Sequence, residues 1–222
     1  INNDYKYGGS AADDNSGSLT YVKICYAGAR STADIEHNGL TLNGVGNGTK
    51  IENIYVLESA DDAIEFFGGT VNVTNLLAVN PDDDMFDFTQ GYCGTLKNCY
   101  GVWESDYTST EADPRGIEAD GNMDGLYPDH LRQSDFKVEN MTIVNNAANT
   151  ADNVDRMQDV IKIRRGAKAT ITNALVKGTG GAIDLVDMKD SKGAGNIESS
   201  IHITNALSFT GVKQNGELNT FV

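Results

Sequence analysis

One six-residue unit, apolar–x–Asn–apolar–x–apolar, recurs along the chain and limits the fold more than any other feature. It reads Ile51-Glu52-Asn53-Ile54-Tyr55-Val56, Val73-Thr74-Asn75-Leu76-Leu77-Ala78 and Leu96-Lys97-Asn98-Cys99-Tyr100-Gly101. It returns as Val138-Glu139-Asn140-Met141-Thr142-Ile143, Ile171-Thr172-Asn173-Ala174-Leu175-Val176 and Ile203-Thr204-Asn205-Ala206-Leu207. A variant with Tyr for Asn, Leu19-Thr20-Tyr21-Val22-Lys23-Ile24, opens the series. From Asn53 to Asn205 the successive Asn spacings are 22, 23, 42, 33 and 32, a base period of 22–23 with insertions. Periods of this size mark repeat architectures in which each unit buries its apolar face only against its neighbours.

A second short segment follows each unit: Gly39-Leu40-Thr41-Leu42, Ala63-Ile64-Glu65-Phe66, Met85-Phe86-Asp87-Phe88, Gly116-Ile117-Glu118-Ala119, Val160-Ile161-Lys162-Ile163 and Ala182-Ile183-Asp184-Leu185. Two apolar residues flank one mostly ionisable residue, the alternation of a half-buried strand. No stretch sustains apolar residues at helical spacing over three turns, and the ladder of a leucine-rich repeat is absent. With 24 Gly and only 3 Pro in 222 residues, short strands joined by Gly-rich turns predict a single all-β parallel solenoid domain over residues 1–222.

The repeat resembles the right-handed, single-stranded parallel β-helices of the pectin-lyase-like superfamily, over Leu19 to about Phe221. The resemblance implies about seven coils. It also implies a ladder of inward-pointing Asn side chains, here Asn53, Asn75, Asn98, Asn140, Asn173 and Asn205, each bonded to the next. Asn suits such a turn because it tolerates left-handed backbone and its amide both donates and accepts. Gly8-Gly9, the segment Asp61-Asp62-Ala63-Ile64-Glu65-Phe66-Phe67-Gly68-Gly69 and Asp82-Asp83-Asp84-Met85-Phe86-Asp87-Phe88 are similar to secreted or surface-anchored bacterial β-helix proteins common in Bacteroidetes. That family mostly lacks an established activity, so the likeness implies a secreted or outer-cell-surface location more than a chemistry.

Charge narrows the partners. The formal net charge of −15 opposes nucleic acid and anionic membrane surfaces, both of which need a basic face. The longest uninterrupted apolar run, Ile54-Tyr55-Val56-Leu57, is far too short to span a bilayer. Cys25, Cys93 and Cys99 match no zinc spacing. Cys25 and Cys99 occupy repeat positions held elsewhere by aliphatic residues and are expected as apolar fillers; Cys93 and Cys99 could close a short loop.

Stacking coils turns sequence columns into ladders with a rung about every 4.8 Å. The outward column of the second segments would read Thr41, Glu65, Asp87, Glu118, Lys162, Asp184. The turn before it adds Asp61 and Asp62 in one coil and Asp82, Asp83 and Asp84 in the next, with Asp62 aligned on Asp84 and Glu65 on Asp87. In the superfamily the chain resembles, this strand and turn line the polysaccharide groove. Crowded carboxylates call for raised pKa values, a bound cation, or basic neighbours such as Lys162, Arg164 and Arg165. Oxygen ligands without His suit Ca²⁺, with Asp62, Asp84 and Asp87 as candidate ligands. A second Ca²⁺ candidate is the turn Asp120-Gly121-Asn122-Met123-Asp124-Gly125, with ligands Asp120, Asn122 and Asp124; Leu131 stands where an EF-hand needs its Glu, so that motif is excluded.

Two-carboxylate catalysis by Glu65, Asp87 and Glu118 is a competing reading, because adjacent and alternate rungs bracket the separations used in glycoside cleavage. A solvated acidic face is the third. Asp61-Asp62 before an apolar strand is similar to polygalacturonases, but their Gly-His-Gly and Arg-x-Lys segments are missing. Insertions at 26–38, 103–115 and 146–159 precede the acidic strand and are expected to build a binding face. There Trp103 and Tyr107 could stack on sugar rings or simply anchor the loop, and Lys162 and Arg164 could contact substrate. His37, His130 and His202 have no nucleophile at useful spacing.

Three functions fit these residues: a secreted or cell-surface module that engages polysaccharide or cell-surface glycan along a Ca²⁺-binding groove, a polysaccharide lyase or glycoside hydrolase, and a structural stalk or adhesin. The chain shows no cap at Ile1–Gly9 or Leu218–Val222, where a seventh coil would continue. This predicts a piece of a longer exported protein, or end-to-end self-association through open terminal coils.

Overall fold

The computed structural model describes residues 6–29, 36–122, 132–147, 157–180, 182, 184–189 and 197–208, with the backbone of 213–214 and 217–218. Strands are numbered in chain order. The long ones, β1 (Ser18–Cys25), β3 (Lys50–Leu57), β5 (Val73–Val79), β7 (Thr95–Trp103), β9 (Asp135–Asn145), β11 (Lys168–Lys177) and β13 (Ser200–Ser208), form one sheet in that order. The short ones, β2 (Leu40–Asn43), β4 (Ile64–Phe67), β6 (Phe86–Thr89), β8 (Ile117–Asp120), β10 (Asp159–Arg164) and β12 (Asp184–Asp187), form a second. Every pairing within both sheets is parallel. Because odd and even strands alternate along the chain yet stack in separate sheets, the chain climbs one rung per coil, as a parallel β-helix of seven coils.

The Asn positions explain how one long strand serves two directions. In β3, Ile51, Ile54 and Val56 are all buried, so the inward residues stand three apart and then two. Asn53 takes up the extra residue in left-handed backbone (φ 56), as do Tyr21, Asn75, Asn98, Asn140, Asn173 and Asn205. The ladder register skips this position, running Glu52↔Thr74 and then Ile54↔Leu76. From Asn75 onward each Asn amide donates to the Asn of the preceding coil, from Asn75 Nδ2 to Asn53 Oδ1 at 2.8 Å through to Asn205 onto Asn173 at 3.2 Å. The ladder lies on the solvent side and not inside: Asn75, Asn98, Asn140, Asn173 and Asn205 are exposed. The interior slots on either side are already filled by aliphatic residues, so the corner side chain turns outward. Further left-handed corners close the coils at Asn80 (φ 52) and Gln90 (φ 52).

Asn98 sits mid-ladder, donating to Asn75 and accepting from Asn140 at 2.8 Å. Asn98→Gly keeps the backbone geometry and is expected to lose about 0.5–1.5 kcal/mol per broken bond. Asn98→Val should lose about 1–2 kcal/mol more, the penalty for a side chain in left-handed backbone. Urea unfolding checks the difference; equal losses for Gly and Val would contradict this origin of the repeat.

Inside, like residues stack in columns. One runs Leu19, Ile51, Val73, Leu96, Val138, Ile171, Ile203. Cys99 lies buried between Leu76 and Met141 as an apolar filler. Cys25 is only half-buried, paired with Leu57 across the sheet edge column. All three cysteines are free thiols. Beneath β4 and β6 an aromatic stack joins Phe66, Phe88, Tyr92 and Phe136, with Phe88–Phe136 centroids 4.1 Å apart. These rings hold the backbones whose opposite faces carry Glu65 and Asp87.

Two register expectations change. Lys162 pairs with Asp187, not Asp184; Asp184 pairs with Asp159. The chain after β11 enters the second sheet three residues later than the repeat suggested. At the far end, β15 (Glu217–Leu218) pairs antiparallel with β14 (Lys213–Gln214), so Leu218 does not open another parallel coil strand. Asp124, His130, Ile183, residues 1–5 and residues 219–222 lie outside the described residues. Among the described residues no helix is long and apolar enough to cross a membrane.

Candidate functional site

The outward column of the second sheet is observed as Thr41, Glu65, Asp87, Glu118, Lys162, Asp187. Its acidic stretch and the preceding turns line a cavity of about 190 Å³, bounded by Asp61, Asp62, Glu65, Phe67, Asp83, Asp84, Asp87, Thr89, Glu118 and Asp120. Among the described residues no Lys, Arg or His lines it. Coil stacking creates this convergence: the Asp84 N–H donates to Asp62 Oδ1 at 3.0 Å, and the Ala63 N–H to the Asp84 carbonyl at 2.9 Å. Equivalent turns therefore sit directly over one another.

The carboxylates divide into two electrostatic groups. Toward β8 and β10 they are neutralised. Arg164 donates to both Asp120 oxygens at 2.8 and 3.0 Å and to Glu118, and Arg165 adds a bond to Asp120 at 2.9 Å. Arg115, itself buried, donates to Glu118 at 2.5 Å and to Asp113 at 2.7 Å. Toward β4 and β6 the neighbours are mostly other acids, and Glu65 accepts from the Asn38 amide at 2.5 Å. Burial, then the charges of Asp87 and Glu65, hold Asp62 well above the usual carboxylate range. Burial, then Glu65 and Glu118, do the same for Asp87. Asp84 is raised by burial and then by Asp83, with Arg115 opposing. Asp83 is raised by burial and then by Glu118.

Two triads of carboxylates have oxygens close enough to share an ion: Asp61, Asp62 and Asp83, and Asp62, Glu65 and Asp87, each with all ligand atoms within 4.8 Å of one another. Ca²⁺–oxygen bonds of about 2.3–2.6 Å allow two ligands to stand up to about 5 Å apart. Buried oxygens without a hydrogen-bond partner, Asp83 Oδ1, Asp84 Oδ1 and Asp87 Oδ1, lie in the same group. Orphaned oxygens of this kind, in a lining made mostly of carboxylates, fit a hard cation.

The sequence-predicted residues fare differently. Asp62, Asp84 and Asp87 converge as expected, and Glu65 joins them as a potential ligand. Asp61 and Asp83 belong to the cluster as well, and their 22-residue spacing, equal to that of Asp62 and Asp84, was the signal for them. Asp120 lies in the same cavity, but its carboxylate is held by two arginines on β10, and the Asn122 carbonyl accepts the Thr89 hydroxyl at 3.3 Å. Asp120 ends β8 with its carboxylate committed to the arginines, and Asp124, the third ligand of the expected calcium turn, lies outside the described residues. Glu118 is held between Arg115 and Arg164, and burial raises its pKa against the pull of both guanidiniums.

Trp103 is 2% exposed and its indole N–H donates to the Pro81 carbonyl at 2.8 Å, so it anchors the loop and offers no stacking face. The Tyr107 hydroxyl donates to Asp82 at 3.0 Å, and the Thr110 N–H bonds the same carboxylate at 2.8 Å. Asp82 thus folds the insertion down instead of joining the cavity. Lys162 and Arg164 are committed to Asp187 and to Glu118 with Asp120.

A family described as "Pectate-lyase like beta helix domain" matches residues 2–221. No curated protein matches the chain, and no solved structure does.

Proposed function

From the premise that the chain belongs to the pectate-lyase-like β-helix domain family, we propose that it is a secreted or cell-surface module that engages polysaccharide along the outer face of its second sheet, with Ca²⁺ held in the acidic cavity. One observation carries the reading: Asp61, Asp62, Glu65, Asp83, Asp84 and Asp87 converge, with Glu118 and Asp120, on one cavity that no basic side chain lines among the described residues. Asp62, Glu65 and Asp87 would hold the ion on the strand face, where its remaining coordination positions could accept glycan hydroxyl or carboxylate oxygens. Net charge of −15 makes such an ion the natural link to an acidic glycan, which the bare groove would repel.

Retention on immobilised neutral and uronate-containing polysaccharides, with Ca²⁺ or with chelator, tests this. Binding is expected with Ca²⁺ and should fall at least tenfold with chelator or in Asp87→Asn. Absence of retention on the whole panel under both conditions would overturn the glycan reading. A second reading, lyase or hydrolase chemistry, draws on one observation: burial and like charge keep Asp87 protonated beyond the ordinary range, beside Glu65 on the adjacent rung. Release of new reducing or unsaturated ends from the same panel would identify it.

A further inference from the structure

We propose that the exposed Asn ladder and the apolar column beside it form a separate strip that binds one extended chain of a neutral β-linked polysaccharide without metal. The strip lies on the first sheet, apart from the acidic cavity of the second, and stands or falls independently of the calcium reading.

Two residues beyond each ladder Asn, one side chain points outward between buried neighbours. Parallel pairing stacks these residues as Tyr55, Leu77, Tyr100, Thr142, Leu175 and Leu207. Tyr100 is 40% exposed and Leu207 38%, and the other four are half-buried. None of the insertions that stretch the Asn spacing falls between the ladder and this column, so its rungs follow one another unbroken. At the first-coil end the Lys23 ammonium sits over the Tyr55 ring, 4.7 Å from the centroid. The open run therefore starts at Leu77 and extends about 19 Å to Leu207 at the spacing of parallel strands.

The ladder supplies the polar half. Asn98, Asn140 and Asn173 each spend one N–H on the preceding Asn and accept one bond from the next. An amide has two N–H donors and two carbonyl lone pairs. Each of these exposed side chains thus keeps one donor and one acceptor for a ligand. A sugar hydroxyl both donates and accepts, while the C–H face of the same sugar is apolar, so adjacent amide and apolar columns meet both. From Leu77 to Leu207 neither column holds a charged residue, in a chain with 32 Asp and Glu, and nothing in the strip selects an ionised glycan. Exposed apolar surface rimmed by polar groups marks a binding site more often than chance placement does. A strip one or two side chains wide falls far short of the ~800 Å² per partner that a standard protein interface buries. It crosses the face of the sheet and not an edge, so an extended peptide would find no strand to pair with.

Retention of the parent on immobilised neutral β-1,4-glucan and mannan, with chelator present throughout, tests the strip. Chelator-resistant retention is expected, weaker than the Ca²⁺-dependent part and unchanged in Asp87→Asn. In the double variant Leu77→Thr, Tyr100→Thr it should fall about fivefold or more. Thr already occupies this column at Thr142, so that variant is expected to melt within about 4 °C of the parent, as exposed substitutions do. Tyrosine nitration of the unaltered protein, mapped by mass spectrometry, gives a second measurement. Saturating glucan oligosaccharide in chelator should protect Tyr100 and leave Tyr7, 44% exposed, reacting as before. No chelator-resistant retention, full retention in the double variant, or an unprotected Tyr100 would overturn the strip and leave the calcium groove standing. Retention indifferent to Ca²⁺ and to Asp87→Asn but lost in the double variant would overturn the groove and leave the strip.

Discussion

Saturating Ca²⁺ is expected to raise the melting temperature of the chelated protein by about 5–11 °C. Binding to the folded state alone contributes about 2.7 kcal/mol per site at a hundredfold excess over Kd, and a chain of this size shifts by about 2–4 °C per kcal/mol. The pH dependence supplies a second signature. Without metal, Asp62, Asp83, Asp84 and Asp87 titrate above their unfolded values. Between the ordinary carboxylate range and those raised values the folded state binds more protons than the unfolded one. Stability of the chelated protein must then fall as pH rises through that window. With Ca²⁺ present the trend should reverse over the same range, because protons compete with the ion for the same oxygens. Superimposable melting curves with chelator and Ca²⁺ would refute the cation site.

Arg164→Met is expected to cost about 3–5 kcal/mol, the range found when a buried ion pair loses one partner. The guanidinium serves Glu118 and both oxygens of Asp120, and these acids are almost fully enclosed. Adding Glu118→Gln to Arg164→Met should recover part of the loss, since the orphaned charge goes with it. Chemical denaturation of the two single variants and the double variant measures the coupling. Strictly additive losses would show that the pair does not act as a unit.

The coil architecture was legible because left-handed corners admit few residue types, and Asn writes that restriction into the chain at a countable interval. The acidic pairing was legible for the same reason: Asp62 with Asp84 and Glu65 with Asp87 share the 22-residue offset of uninterrupted coils. Where insertions intervene, counting fails. Asp187 takes the place expected for Asp184 because nothing in the sequence fixes how many residues the preceding loop consumes. Neutralisation by Arg164 and Arg165 was legible as one option, but not which acids they would take. Arg164 lies 46 residues from Glu118 and 44 from Asp120, so their contact depends on the register of β8 against β10. The outward direction of the Asn ladder follows from occupancy of the interior, which a pattern of alternation alone leaves open. Trp103 illustrates the same ambiguity, since an aromatic ring at a loop edge is equally suited to anchoring and to recognition.

Parallel stacking has a consequence for how the chain acquires its shape. Each rung finds its partner roughly one period back, so assembly can advance from either neighbour as a growing front without waiting for distant segments. Most steps of that advance zip aliphatic columns and are downhill. The step that lays β6 onto β4 is different, because it brings Asp83, Asp84 and Asp87 against Asp61, Asp62 and Glu65. If the proposed calcium site forms, that junction is the step expected to slow when calcium around the nascent protein is withdrawn.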